Sequence, residues 1–143
     1  EVWNPYLLKD IQKVERVQRA FTKRIPGLGH LPYEQRLAAL SIPSLELRRL
    51  RRDMIMVYKI LHGLSCIPFD SFFSWALYGG TRSNMYKLRL PLARRDCHKY
   101  SLAVRVIMTW NSLPHSVVDS NTLSTFKFRL LHTDLSNFIK GGY

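Results

Sequence analysis

A mainly α-helical fold, a small bundle of about five to six helices, is what three features of this 143-residue sequence predict. Apolar residues recur three and four positions apart through long segments, which gathers them on one face of a helix. Pro and Gly, with Ser or Asn beside them, stand between those segments where helices stop and start. Only one stretch, Lys87-Leu88-Arg89-Leu90, alternates with period two as a strand does. With 46% hydrophobic and 22% charged residues the chain has the composition of a packed core, not of a disordered polymer.

The first helix is expected from Pro5 to Arg24, with Asn4 as its cap and Pro5 as its first residue. Leu7, Ile11, Val14, Val17 and Phe21 form its packing face, and Lys9, Lys13, Arg16, Arg19 and Lys23 fall on the other side. Ile25-Pro26-Gly27 ends it. A short helix follows from Pro32 to Leu40 and stops at Ser41-Ile42-Pro43. Ser44 then caps a third helix, Leu45 to Leu61, with Gly63 at its C-terminal stop. Its buried stripe is Leu47, Leu50, Met54, Val57, Tyr58 and Leu61, and Arg48, Arg49, Arg51 and Arg52 lie mostly off it.

From Ser65 to Gly80 the pattern breaks into Ile67-Pro68-Phe69 and Phe72-Phe73-Ser74-Trp75, an aromatic plug for the core. Such aromatics also have the chemistry to stack on bases. Thr81 to Lys99 is basic and extended, and Pro91 confines any strand there to an edge. Helix returns from Tyr100 to Asn111, packing Leu102, Val106, Ile107 and Trp110, and Pro114 ends the run. Asp119-Ser120-Asn121 supplies cap candidates for a last helix, Leu123 to Phe138, which packs Phe126, Leu130, Leu131, Leu135 and Phe138 before a frayed Gly141-Gly142-Tyr143. This divides the chain into a helical subdomain at 1–64, an aromatic plug and basic linker with a short edge strand or hairpin at 65–99, and a C-terminal helical subdomain at 100–143.

Charge bounds the function. Lys and Arg number 22 against 10 Asp and Glu, a net charge of +12. Such an excess repels itself until a polyanion neutralises it. Four Arg within Arg48–Arg52 suit bidentate phosphate contacts, and Arg82, Lys87, Arg89, Arg94, Arg95 and Lys99 face only Asp96. Catalysis is not indicated. Two-metal phosphoryl transfer needs carboxylates held close together, and here Asp70, Asp119 and Asp134 stand singly. Gly27-Leu28-Gly29 ends a helix where a phosphate loop would open one. Cys66, Cys97 and His98 lack the paired spacing of a zinc site, and His30, His62, His115 and His132 are isolated. No apolar run approaches the roughly 20 residues of a membrane span. Two cysteines form no disulfide framework, so a reducing intracellular setting, nucleus or cytoplasm, is expected. The start at Glu1, with no leader pattern behind it, points to a fragment.

An ordered set of short motifs resembles one family. Val2-Trp3-Asn4-Pro5-Tyr6, Asp10-Ile11 and Glu15-Arg16-Val17-Gln18-Arg19-Ala20-Phe21-Thr22-Lys23 come first. Tyr33-Glu34-Gln35-Arg36-Leu37, Leu40-Ser41-Ile42-Pro43-Ser44-Leu45 and Arg48-Arg49-Leu50-Arg51-Arg52-Asp53 follow. Then come Tyr58-Lys59-Ile60-Leu61, Thr81-Arg82, Trp110-Asn111-Ser112-Leu113-Pro114, Val117-Val118 and Phe126-Lys127. Together they resemble the region after the polymerase core in non-LTR, LINE-type and jockey-like, retrotransposon reverse transcriptases. The resemblance implies an α-helical thumb at 1–64 and a post-thumb region beyond it. It implies a thumb that grips the RNA and DNA backbone of the template–primer, with the Lys9 to Lys23 helix in that role. The missing partner would be the palm and fingers of the polymerase. Divalent metal is implied only for that missing core, and no cofactor for these residues.

The sequence therefore points to a non-catalytic C-terminal piece of an RNA-directed DNA polymerase, bound to nucleic acid through phosphates. The residues expected to make those contacts are Lys9, Lys13, Arg16, Arg19, Lys23, Arg48, Arg49, Arg51, Arg52, Arg82 and Arg94. The competing readings are a helical protein-interaction or structural remnant, a membrane-surface protein using its basic amphipathic first helix, and a decayed reading frame.

Overall fold

The computed structural model describes residues 5, 7–76, 86–91 and 102–142. Among them are six α-helices: α1 (Leu8–Lys23), α2 (Tyr33–Ala39), α3 (Leu45–Leu61), α4 (Leu102–Ser112), α5 (His115–Val118) and α6 (Leu123–Leu131). Short 3-10 turns stand at Phe69–Ser71 and Ser136–Phe138. The fold is mainly helical, as expected, and almost strandless over the described residues.

Residues group into two compact units whose border falls inside α3, after Leu50. The described residues up to Leu50, with the C-terminal stretch from Leu135, make one; Arg51–Asp134 make the other.

Helix ends explain the first unit. Leu7 occupies the N-cap of α1 without a side-chain bond, so the helix starts later than Pro5; Asn4 lies outside the described residues. At the end of α2, Ser41 takes a left-handed φ of 52°. Its N–H bonds the Ala38 carbonyl at 3.0 Å, and the Ile42 N–H bonds Leu37 at 3.1 Å. These two reversed bonds satisfy carbonyls that helical geometry leaves open. Ser44 Oγ then accepts the Leu47 N–H at 3.2 Å and starts α3. The expected frayed end is pinned instead: both Glu46 carboxylate oxygens accept bonds, from Lys140 N–H at 2.9 Å and Gly141 N–H at 2.8 Å.

The apolar core of this unit is small: Ile11, Tyr33, Leu37, Leu50 and Leu135 are buried. Polar groups fill the rest. Along α1 the buried residues are Ile11, Glu15, Gln18 and Thr22. Of the expected packing face only Ile11 is buried, while Val17 and Phe21 are each 69% exposed and Leu7 is exposed too. The helix is rotated from its hydrophobic reading because its polar stripe finds partners. Glu15, 1% exposed, accepts the Tyr33 hydroxyl proton and the Leu45 N–H, the latter at 3.1 Å to both oxygens. Gln18 Nε2 donates to the Pro43 carbonyl at 3.0 Å. A buried polar group with its bonds made no longer carries its desolvation penalty.

In the second unit an apolar core forms around Met54, Val57, Tyr58, Val106, Ile107, Trp110, Val118, Phe126 and Leu130. Gly63 ends α3 at φ 64°, with the Leu64 N–H on the Lys59 carbonyl at 2.7 Å. Tyr58 stacks on Phe126 at 4.4 Å, and its hydroxyl donates to the Ser120 carbonyl at 2.6 Å. Trp110 is 1% exposed, and its Nε1 donates to the Tyr86 carbonyl at 2.9 Å. Of the aromatic plug, Phe73 is buried, whereas Phe72 and Trp75 remain exposed.

Three local expectations change here. Lys87-Leu88-Arg89-Leu90 forms a single antiparallel bridge, Trp75 to Leu88, and no strand. The Asn111 side-chain amide occupies both backbone groups of Leu88, at 2.9 and 2.8 Å, where a further strand would bind. The cap of α6 is Thr122, whose hydroxyl accepts the Thr125 N–H, rather than a residue of 119–121. That helix stops at Leu131, where the Thr133 hydroxyl bonds back to the Arg129 carbonyl at 2.9 Å. Leu135 is nevertheless buried, reached through a turn.

Candidate nucleic-acid interface

Rotation of α1 about its axis decides where its charges point. At about 100° per residue, burial of Ile11, Glu15, Gln18 and Thr22 turns Lys9, Lys13, Arg16, Arg19 and Lys23 outward. All five are exposed, and Arg24 at the C-cap joins them. Asp10 pairs with Lys13 of the strip at 3.5 Å, in the open, where such a pair contributes little. The exposed Val17 and Phe21 lie along one edge of the strip. From Lys9 to Lys23 these cations follow one side of α1 over about four turns.

The arginine cluster of α3 behaves differently. Residues 50, 53, 54, 57 and 58 form the buried stripe, so positions 49 and 51 fall on its two borders. Arg49 Nε and Nη2 are buried without a hydrogen-bond partner. Arg51 Nη2 donates to the Leu131 carbonyl at 3.0 Å, the last residue of α6, where a cation offsets the helix dipole. Burial pushes its guanidinium down from the ordinary arginine value. Arg51 is thus a helix-end cap. Arg48 is half-buried and Arg52 exposed.

The eleven expected contact residues are spread over both units. Five share α1; Arg48 and Arg49 belong to the same unit, and Arg51 and Arg52 to the other. Arg82 and Arg94 lie outside the described residues, as do Cys97 and His98.

Two structural cations of the second unit escaped the sequence reading. Arg105 pairs with the buried Asp53 at 2.9 Å. Arg129 donates to the Ser116 carbonyl and, at 3.4 Å, to Ser120 Oγ. Their partners stand 9 to 52 positions away, so no local spacing announces them. Beside the C-terminal half of α1 lies an open cleft of about 610 Å³, lined by Arg19, Lys23, His30, Tyr33 and Arg36 among others. Its only sequence signal is the Gly27-Leu28-Gly29-His30 loop, which closes tightly: a Cβ on Gly29 would stand 3.0 Å from the Lys23 carbonyl oxygen.

Among the described residues no three His, Cys, Asp or Glu side chains gather as a metal site would require. No helix among them is long and apolar enough to cross a membrane. No protein-family model, curated protein or solved structure matches this chain.

Proposed function

We propose that this chain binds nucleic acid through its phosphate backbone, without a catalytic site of its own, as the C-terminal region of a retroelement RNA-directed DNA polymerase. One observation carries the binding part: five exposed cations in a row on α1, held outward by a buried polar face. The retroelement part rests on the ordered motifs from Val2 to Lys127. In this reading α1 lies along the RNA–DNA duplex and positions it without reading bases, and the missing palm supplies metal and chemistry.

Phosphate neutralisation releases counterions, so affinity should fall steeply with salt. The test is binding to a short RNA–DNA hybrid by fluorescence anisotropy between roughly 50 and 200 mM salt. A loss of tenfold or more supports backbone contact. Salt-insensitive binding, or none, would remove it.

Val17 and Phe21, both exposed, favour a second reading in which α1 docks on another protein. It expects Val17→Ser/Phe21→Ser to abolish a protein contact while leaving hybrid affinity unchanged.

A further inference from the structure

The cleft beside α1 has a chemistry of its own. Arg36 on α2 forms part of its wall and is only 5% exposed. Its Nε donates to Thr22 Oγ1 at 3.2 Å, Nη1 to the Leu31 carbonyl at 2.8 Å, and Nη2 to the Arg19 carbonyl at 3.4 Å. All three acceptors are neutral. A buried guanidinium that bonds only neutral acceptors, through three of its five N–H groups, keeps its charge unmatched and attracts an anion to any adjoining space. The adjoining space is the cleft. Arg19 and Lys23 add two more cations from α1, set against the single carboxylate of Glu34. The Tyr33 ring lies under both guanidinium groups, with centroid distances of 4.9 Å to Arg19 and 5.6 Å to Arg36. That contact fixes the guanidinium planes instead of leaving them to sweep through solvent. At about 610 Å³ the cleft falls in the size range of small-ligand pockets.

We propose that this cleft is a phosphate-binding site, with Arg36 as its fixed charge and Arg19 and Lys23 as the donors that close on the anion. It deepens the nucleic-acid reading above and rests on it for the source of the phosphate, a terminal monoester or an internal diester of the bound strand. The site differs from the outward row of α1 in being concave and in having a buried cation in its wall.

The probe is inorganic phosphate, titrated at constant ionic strength while backbone amide resonances are followed by NMR. Saturable shifts at Gly29, His30 and Arg36 are expected, with affinity at least tenfold weaker in Arg19→Gln/Lys23→Gln. Both substituted residues are exposed, so the variant keeps its fold, which its unchanged spectrum away from the cleft would verify. Shifts that do not saturate, that spread evenly over all basic residues, or that persist unaltered in the variant would overturn the site. Two oligonucleotides of one sequence, with and without a 5′-phosphate, identify the source. A stronger cleft response to the phosphorylated end assigns a monoester, and equal responses assign a diester. If hybrid binding stays steeply salt-dependent while the cleft resonances never saturate, the cleft fails and the nucleic-acid reading survives. If phosphate saturates the cleft but hybrid binding is absent, that reading fails and a free-phosphate site remains.

Discussion

Replacing the buried Glu15 by Ala should destabilise the chain by about 3–5 kcal/mol, although the residue is not one of the exposed cations. Its carboxylate is buried, it accepts the Tyr33 hydroxyl, and it receives the Leu45 N–H at the start of α3. Removal leaves two donors without acceptors, each costing about 1–3 kcal/mol, and removes the anion from a helix N-terminus. Glu15→Gln should cost less, about 1–3 kcal/mol, because one amide oxygen still accepts while the charge assistance is lost. The assay is urea unfolding followed by circular dichroism, with Tyr33→Phe and the double variant completing a cycle. The coupling between Glu15 and Tyr33 should be about 1–2 kcal/mol. Additive effects, or a Glu15→Ala midpoint within error of wild type, would refute the claim that this carboxylate sets the rotation of α1.

Other consequences are smaller or simpler. Trp110→Ala should destabilise by about 3–5 kcal/mol through the void and the lost bond to Tyr86, with hybrid affinity of the folded protein unchanged, as unfolding and binding curves together would reveal. Ser41→Gly should raise stability by about 0.5–1 kcal/mol by relieving the left-handed φ of 52°, and Gly63→Ala should lower it by about 1 kcal/mol at φ 64° with open space around the new Cβ; urea midpoints measure both. Burial and the Glu15 carboxylate push the Tyr33 phenol well above its ordinary value near 10.0. The folded state therefore keeps a proton that the unfolded chain gives up. Stability held below pH 10 should fall as pH rises beyond that, and fall less in Tyr33→Phe, in melts compared at pH 8 and 10.5.

The legible and illegible parts of the fold differ in where their partners lie. Helix α3 was readable from end to end because Ser44 and Gly63 act on backbone groups within a turn. Trp110 and Phe126 were readable as core because large apolar area is buried wherever a core exists. The face of α1 was misread, since hydrophobic periodicity scores area and is blind to hydrogen bonds. Glu15 and Gln18 are buried because Tyr33, Leu45 and Pro43 meet them from 18 to 30 positions away. Arg51 shows the same gap: its place in a dense basic run suggests phosphate, whereas its guanidinium caps a helix 80 positions on. The outward direction of Lys9, Lys13 and Arg16 survived the misreading, because a rotation that buries Glu15 still leaves them exposed. The cleft was not legible, as it needs Arg36 buried against Thr22 and Arg19, a contact between two helices.

The most direct measurement compares the salt slopes of two variants with equal loss of charge, bound to the same RNA–DNA hybrid. Lys9→Gln/Lys13→Gln/Arg16→Gln removes three cations from the α1 row and leaves the cleft untouched. Arg89→Gln/Lys127→Gln/Lys140→Gln removes three exposed cations elsewhere. If α1 lies on the phosphate backbone, the first should lower the slope of log affinity against log salt by about 2–3 and the second by less than about 1. Equal slopes in the two variants would mean that only net charge matters, and that α1 is not the interface.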